Sequence, residues 1–280
     1  PLSRNSCAAM VAGALRAMET NPSAILLVLA ADHNIPDVQL FQASVLQALP
    51  AAQAGKIVAF GIVPSHPATG YGYIQTGNDL PYAGVILVNR FAEKPNLEMA
   101  QTYVDQGYLW NSGNFLLAAQ VLVEEVERLA PAVLHAVRQS LDEAERDADF
   151  IRLGHEPFSK SPSLSFDCAV MEKTKRASVL PVDYAWSDVG NWDVVSRMFP
   201  TDQNGNAIVG RGIVNSSNNV LVHANEVPTA VIGCKDIIVV TTRDAVLVVQ
   251  KNASEDVKAL VAQLKNANLD GSSSPPNRMP

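Results

Sequence analysis

At 280 residues, 48% of them hydrophobic, the chain is long enough for one large domain and a small one. A formal net charge of −7, with no basic run interleaved with aromatics, argues against nucleic-acid or membrane-surface partners. Cys7, Cys168 and Cys234 are odd in number and outside any metal-ligand spacing, which predicts free thiols in a reducing, cytoplasmic setting.

In chain order, Asn5 or Ser6 is expected to cap a helix over the small-residue run 8–17. The start lacks Met and runs at once into a helix signal, as a fragment would. No charged-then-apolar leader is present, and the longest apolar runs are of strand length, so neither a signal peptide nor a membrane span is expected. Residues 24–30, AILLVLA, read as a strand buried on both faces, ending in Ala31-Asp32-His33-Asn34. A helix over 37–53, which Pro50 should kink or end, and a second buried strand over 56–63 complete a β-α-β succession. That succession predicts an open, mostly parallel sheet.

The loop Pro64 to Tyr73 holds Gly70-Tyr71-Gly72-Tyr73, which suits either close backbone approach to a ligand or a hairpin bend. No Gly-x-Gly-x-x-Gly or P-loop spacing occurs in the chain. A strand over 83–91 runs into Glu93-Lys94-Pro95, where Pro95 should hold Lys94 extended and the two charges need not pair. Asn96 caps a helix ending near Gly107. Asn111-Ser112-Gly113-Asn114 then opens a strand over 116–118, suited to sugar hydroxyls or to a plain turn. Helices over 120–129 and 132–147 follow, the second rich in charge and expected on the outside. A short helix over 167–174, a strand over 177–182 and the polar segment Trp186-Ser187-Asp188-Val189-Gly190 come next. Asp188 either presents a carboxylate walled by Trp186 and Trp192 or caps the helix that follows.

Past Pro200 short β-branched segments alternate with turns, as in a small all-β unit, and Ser254 caps a last helix. The expected domains are 1–200, 201–266 and a disordered tail over 267–280, rich in Ser and Pro.

Asp32 and Asp188 each follow a strand of what should be one sheet. Hard cations such as Mg2+ take carboxylate oxygens and complete their shell with waters and substrate phosphates. The pair therefore suits metal-assisted phosphoryl transfer, with Glu93 as a hydroxyl acceptor and Lys94 as a phosphate-directed cation. His33 is read as a structural hydrogen-bonding group. The chain has no Gly-x-Ser-x-Gly nucleophile elbow.

Seven motifs occur in one order: Arg4-Asn5-Ser6-Cys7-Ala8-Ala9, Ala31-Asp32-His33, Gly70-Tyr71-Gly72-Tyr73-Ile74, Phe91-Ala92-Glu93-Lys94-Pro95, Leu109-Trp110-Asn111-Ser112-Gly113, Asp167 to Lys173, and Trp186 to Gly190. Together they resemble mannose-1-phosphate guanylyltransferases, the GDP-mannose pyrophosphorylases of the bacterial long-chain type. The resemblance implies a nucleotidyltransferase (Rossmann-like) α/β sheet, N-terminally incomplete, followed by a small all-β unit. It implies GTP and mannose 1-phosphate as partners, joined to GDP-mannose and pyrophosphate with Mg2+ as cofactor, and it allows a homo-oligomer. By that resemblance Asp32 and Asp188 hold the metal, Glu93 meets the mannose hydroxyls and Lys94 the sugar phosphate. Gly72, Asn111 and Gly113 line the sugar pocket, and Arg4, Asn5 and Ser6 lie near the nucleotide. Phe166, Cys168 and Asn114 depart from the family's usual Ile, Tyr and Met. The family's glycine-rich phosphate loop, which should precede Arg4, is absent, so impaired turnover is expected. The alternative is a non-catalytic sugar-phosphate-binding protein for regulation or assembly. A metal-dependent glycosyltransferase is disfavoured, because no Asp-x-Asp follows a strand.

Overall fold

The computed structural model describes residues 2–266; the tail expected over 267–280 lies outside them. The chain divides into a first compact unit ending at Trp186 and a second beginning at Ser187.

The first unit opens with α1 (Asn5–Thr20), whose buried Cys7, Ala8, Met10, Val11 and Ala14 recur at helical spacing. The expected cap is not there. Asn5 lies inside the helix at φ +64, its Oδ1 accepting from the Ser6 N–H, while Ser6 Oγ accepts from the Phe166 N–H at 2.9 Å. The two side chains that would cap are already committed elsewhere. β1 (Ile25–Val28), α2 (Val38–Gln53) and β2 (Ile57–Ile62) follow. Asp37 caps α2 through the Leu40 N–H, and the helix runs on through Pro50 to Gln53. So near the end, a proline removes little of the hydrogen-bond ladder.

β3 (Gly72–Asp79) and β4 (Ile86–Ala92) form an antiparallel pair. Asn96 caps α3 (Leu97–Asp105) through the Met99 N–H, and β5 (Leu109–Ala118) then runs for ten residues. α4 (Ala119–Leu129) and α5 (Pro131–Asp142) follow; α5 stops short of 147 because a small β6 (Glu145–Asp147) and β7 (Phe150–Arg152) pair takes over. α6 (His155–Ser159), a π-helical turn at Asp167–Met171 and β8 (Ala177–Val182) complete the unit.

The sheet order is β1-β5-β2-β8-β4-β3, with β3 also meeting β5. An α/β core is present as expected, but the sheet is mixed rather than mostly parallel. Among its described pairings only β2–β8 is parallel. β1 and β2 do run the same way, as the β-α-β succession requires, since both are antiparallel to β5. The long β5 inserts between them, and nothing local in the succession announces it. β2 is buried at all six residues, alternating between two core clusters: Ile57 and Ala59 face α1 and α4, while Val58, Phe60 and Ile62 face α2 and α3. β1 is different. It occupies the sheet edge, and Leu27 stays 39% exposed despite a sequence as apolar as that of β2.

The second unit holds α7 (Trp192–Ser196), β9 (Ala207–Asn215), β10 (Leu221–Ile232), β11 (Ile237–Thr241), β12 (Val246–Gln250), a 3-10 turn (Lys251–Asp256) and α8 (Val257–Asn266). β9, β10 and β11 pair in parallel across very short connections, and β12 adds antiparallel. Ordinary parallel pairs need a crossover of a dozen residues or more. Here the chain coils instead, so Asn219 meets Asp236, and Ser217 meets Cys234, each 17 residues on. Left-handed residues at Ser216, Asn219 and Asp236 turn the corners. Among the described residues no helix is long and apolar enough to cross a membrane.

Candidate functional site

Chemistry-bearing side chains gather where β3, β4 and β5 meet. Gly72 opens β3 directly opposite Asn111 of β5. A Cβ at Gly72 would stand 2.7 Å from Glu93 Oε2 and 3.3 Å from Asn111 Cβ, so glycine is what lets these strands and the Glu93 carboxylate come together. Glu93, 17% exposed, pairs with Lys94 Nζ at 2.9 Å; the ammonium, 64% exposed, reaches towards solvent.

Lys94 is not held extended by Pro95. The strand ends at Ala92, the Lys94 N–H donates to the Tyr71 carbonyl at 3.2 Å, and Lys94 takes φ +44. That hydrogen bond turns the backbone into a region costly for a residue with a Cβ, and it brings the two charged side chains to the same side. The hydrogen bond from Lys94 to Glu93, aided by the charges of Glu93 and Asp167, outweighs partial burial and raises the lysine pKa above its ordinary value.

Asn111, Ser112, Gly113 and Asn114 lie within β5, not in a turn before it. The register slips between Ala59–Phe115 and Gly61–Asn111, leaving residues 112–114 opposite Phe60, with Gly113 at φ +72. Such a bulge re-aims side chains, and bulges recur beside active sites. Asn111 uses both ends of its amide: Nδ2 donates to Asp167 Oδ1 at 2.8 Å, and Oδ1 accepts from the Gly113 N–H at 3.2 Å. Asn114 Oδ1 accepts from the Ala30 N–H at 3.3 Å, fastening the end of β1 to the bulge. Asp32 follows and is exposed. His33 accepts at Nδ1 from the Trp186 indole N–H at 3.2 Å, which supports its reading as a structural group, and Trp186 also lies edge-on to Tyr71.

Asp167 was not among the sequence candidates. It opens the π-helical turn and its carboxyl is pushed up to about 6, first by burial and then by the charge of Glu93, with Asn111 and Lys94 pulling the other way. The signals available were the motif Asp167 to Lys173 and, within it, a single acid ahead of the apolar run 168–171, neither of which assigned the acid a role. Ser6 lies one step away, bonded to the Phe166 N–H. Arg4 turns instead to the Ser159 carbonyl, and its buried Nε has no partner among the described residues.

Asp188 belongs to the second unit. Its Oδ1 accepts from the Gly190 N–H at 3.2 Å, and it does not cap the helix after it. Asn191 caps α7, through the Val194 N–H at 3.0 Å. Trp192 packs with Ala207, Leu221 and Ile238 in the second unit's own core. Thus Gly72, Glu93, Lys94, Asn111 and Gly113 come together around Asp167, with Ser6 beside it. Among the described residues no group of three or more His, Cys, Asp or Glu has the arrangement of a metal site.

The family model for nucleotidyl transferases matches residues 1–205, and that for the MannoseP isomerase/GMP-like beta-helix domain matches 210–264. A putative mannose-1-phosphate guanylyltransferase of Vibrio cholerae serotype O1 is 41% identical over 96% of this chain and 58% of its own length. The mannose-1-phosphate guanylyltransferase of Escherichia coli K12 is 43% identical over 95% of this chain and 57% of its own. The chain thus spans a little over half the length of these curated relatives. A crystal structure from Thermus thermophilus, described as mannose-1-phosphate geranyltransferase, superimposes with a TM-score of 0.83 at 31% identity, covering 95% of this chain and 76% of that one. The chain belongs to the nucleotidyl transferase family, alongside the mannose-1-phosphate guanylyltransferases.

Proposed function

We propose that this chain is the nucleotidyl-transfer part of a mannose-1-phosphate guanylyltransferase, joining GTP and mannose 1-phosphate into GDP-mannose and pyrophosphate. The observation that carries this reading is the grouping at Gly72: an acceptor carboxylate, Glu93, a cation 2.9 Å from it, Lys94, and the amide and glycine of Asn111 and Gly113 beside them. A hexose phosphate asks for that set: hydroxyl acceptors and donors at one end and a positive charge at the other. Glu93 and Asn111 would orient the hexose, and Lys94 would hold its phosphate. The phosphate oxygen would then attack the α-phosphorus of GTP, with pyrophosphate leaving. No covalent intermediate on the protein is needed; alignment and charge neutralisation suffice.

Following the family likeness, we assign Asp32 of the first unit and Asp188 of the second each as a carboxylate for Mg2+. The exposed Asp32 carboxylate after β1 fits a hard cation that keeps several waters and few protein ligands. Mg2+ would neutralise phosphate charge. A cytoplasmic setting, where nucleoside triphosphates are made, fits the three unpaired thiols. No glycine-rich phosphate cradle occurs in these 280 residues, so turnover by the chain as it stands should be slow.

GDP-mannose formation from GTP, mannose 1-phosphate and Mg2+ tests the reading, together with calorimetry of mannose 1-phosphate alone. Binding with slow, Mg2+-dependent synthesis is expected, lost in Asp32→Asn and in Asp188→Asn. A chain that binds no sugar phosphate at any concentration below millimolar would refute the pocket, and a rate equal to that of a complete relative would refute the slow turnover.

A further inference from the structure

The hydrogen bonds behind the pocket give Asp167 a task that neither the family likeness nor the motifs assign. We propose that Asp167 is a positioning residue, holding the Asn111 side chain in the one orientation that serves the sugar and acting through Asn111 rather than touching substrate. This rests on the sugar-phosphate reading above.

An asparagine amide can flip end for end, exchanging donor and acceptor. Asn111 is denied that freedom. The Gly113 N–H needs an acceptor and finds Oδ1 at 3.2 Å, while the Asp167 carboxylate needs a donor and finds Nδ2 at 2.8 Å. An ionised carboxylate can only accept, so a flip would set oxygen against oxygen and N–H against N–H. Asp167 is itself fixed by its π-helical turn, which the Phe166 N–H ties to Ser6 Oγ of α1 at 2.9 Å. Turns of this kind tend to mark functional positions, because they cost a helix its regular bonding.

The clamp also responds to protons. The charged groups acting on Asp167 are Glu93 and Lys94 after β4, and Cys168 is its neighbour in the turn. β5 faces it with Asn111. α1 contributes Ser6 next door, with Arg4 turned to Ser159. The buried acid of α4, Glu125, is committed to Arg128 and Thr174. Burial and Glu93 push the Asp167 carboxyl up to about 6. Below that pH it becomes a neutral acid that can donate as well as accept, and the reason for a single Asn111 orientation weakens.

The test is made on the full chain, with Asp167→Asn as the near-isosteric variant and Asp167→Ala as the second. Mannose 1-phosphate titrates near pH 6 itself, so the readout is the ratio of wild-type to variant affinity at each pH. The expected ratio is roughly five- to tenfold at pH 7.5 and approaches one near pH 5, the difference between a charge-assisted and a neutral hydrogen bond. In parallel, the Asn111 side-chain amide resonances should titrate with a midpoint near 6 in ligand-free wild type and stay flat in both variants. A ratio independent of pH, or an Asn111 amide that ignores pH while the variants keep the fold, overturns the proposal. A titrating amide in a chain that binds no mannose 1-phosphate would refute the sugar-phosphate reading and the role in it, leaving the Asp167–Asn111 link as a separate fact.

Discussion

Gly72 has almost no room for a side chain. A methyl there meets the end of the Glu93 carboxylate at 2.7 Å, a flexible group that can swing aside, and Asn111 Cβ at 3.3 Å, which has to give by a few tenths of an ångström, so Gly72→Ala should cost the pocket more than the fold. The expected outcome is a melting temperature within a few degrees of wild type and mannose 1-phosphate affinity at least about tenfold weaker. Unchanged affinity would mean that Glu93 does not have to stand where it does. Lys94→Ala should weaken sugar-phosphate binding by about tenfold, because a point charge is lost, with a smaller effect on GTP; an equal loss for both substrates would contradict the assignment. Asp167 stands in the opposite relation to stability. A carboxyl whose folded pKa is raised binds its proton more tightly in the native state, so its contribution declines as pH climbs from about 4 to about 6 and stays low above. Asp167→Asn should therefore stabilise the first unit by ~1–3 kcal/mol at pH 8, with the gain vanishing below pH 4. Denaturant unfolding at both pH values checks this. Glu93, Lys94, Gly72, Asn111 and Gly113 could be named from their motifs, and the structure brings them near one another. Asp167 also opens a motif, but that motif gave it no role, since its meaning depends on Asn111, 56 positions away.

Elements carry their information unevenly. β2 announced its burial in its composition and is buried throughout, whereas β1, just as apolar, turned out to be an edge. Apolar content alone does not say whether a strand will lie inside a sheet, with both faces covered, or at its edge. The direction of pairing was equally hidden, because β5 enters between β1 and β2 from much later in the chain. In the second unit Asn219 and Asp236 stand at positive φ on successive corners, with Asn219 Nδ2 donating to Asp236 Oδ1 and Lys251 Nζ to Asn219 Oδ1, both at 2.6 Å. Replacing Asn219 separates the two causes. Asn219→Gly loses the bonds but keeps the easy left-handed backbone, while Asn219→Ala loses both. Alanine should destabilise by ~1–2 kcal/mol and glycine by about 1 kcal/mol less. Equal losses would show that the corner geometry carries no strain and that the side-chain ladder alone matters.

At the scale of the whole chain, each unit has hydrophobic clusters of its own. Leu122 is fully buried in a cluster drawn from residues up to Val179, and Leu221 in one drawn from Trp192 onwards. A unit with its own core can melt in its own transition, so calorimetry should resolve two. Leu122→Ala and Leu221→Ala should each cost about 2–5 kcal/mol, and each should lower a different transition by several degrees. The residues proposed for the sugar pocket, Gly72, Glu93, Lys94, Asn111 and Gly113, all precede Trp186, which gives the proposed ligand an expected address within this scheme. Mannose 1-phosphate at about 100 times its Kd stabilises whatever it binds by about 2.7 kcal/mol. That increment should appear in the transition that Leu122→Ala lowers and be missing from the one that Leu221→Ala lowers. If the sugar phosphate raises the Leu221-sensitive transition instead, the residues that grip it are not those of β3, β4 and β5. A single transition shifted equally by both variants would mean that the two cores unfold as one, and the address would have to be read from the Gly72 and Lys94 variants alone.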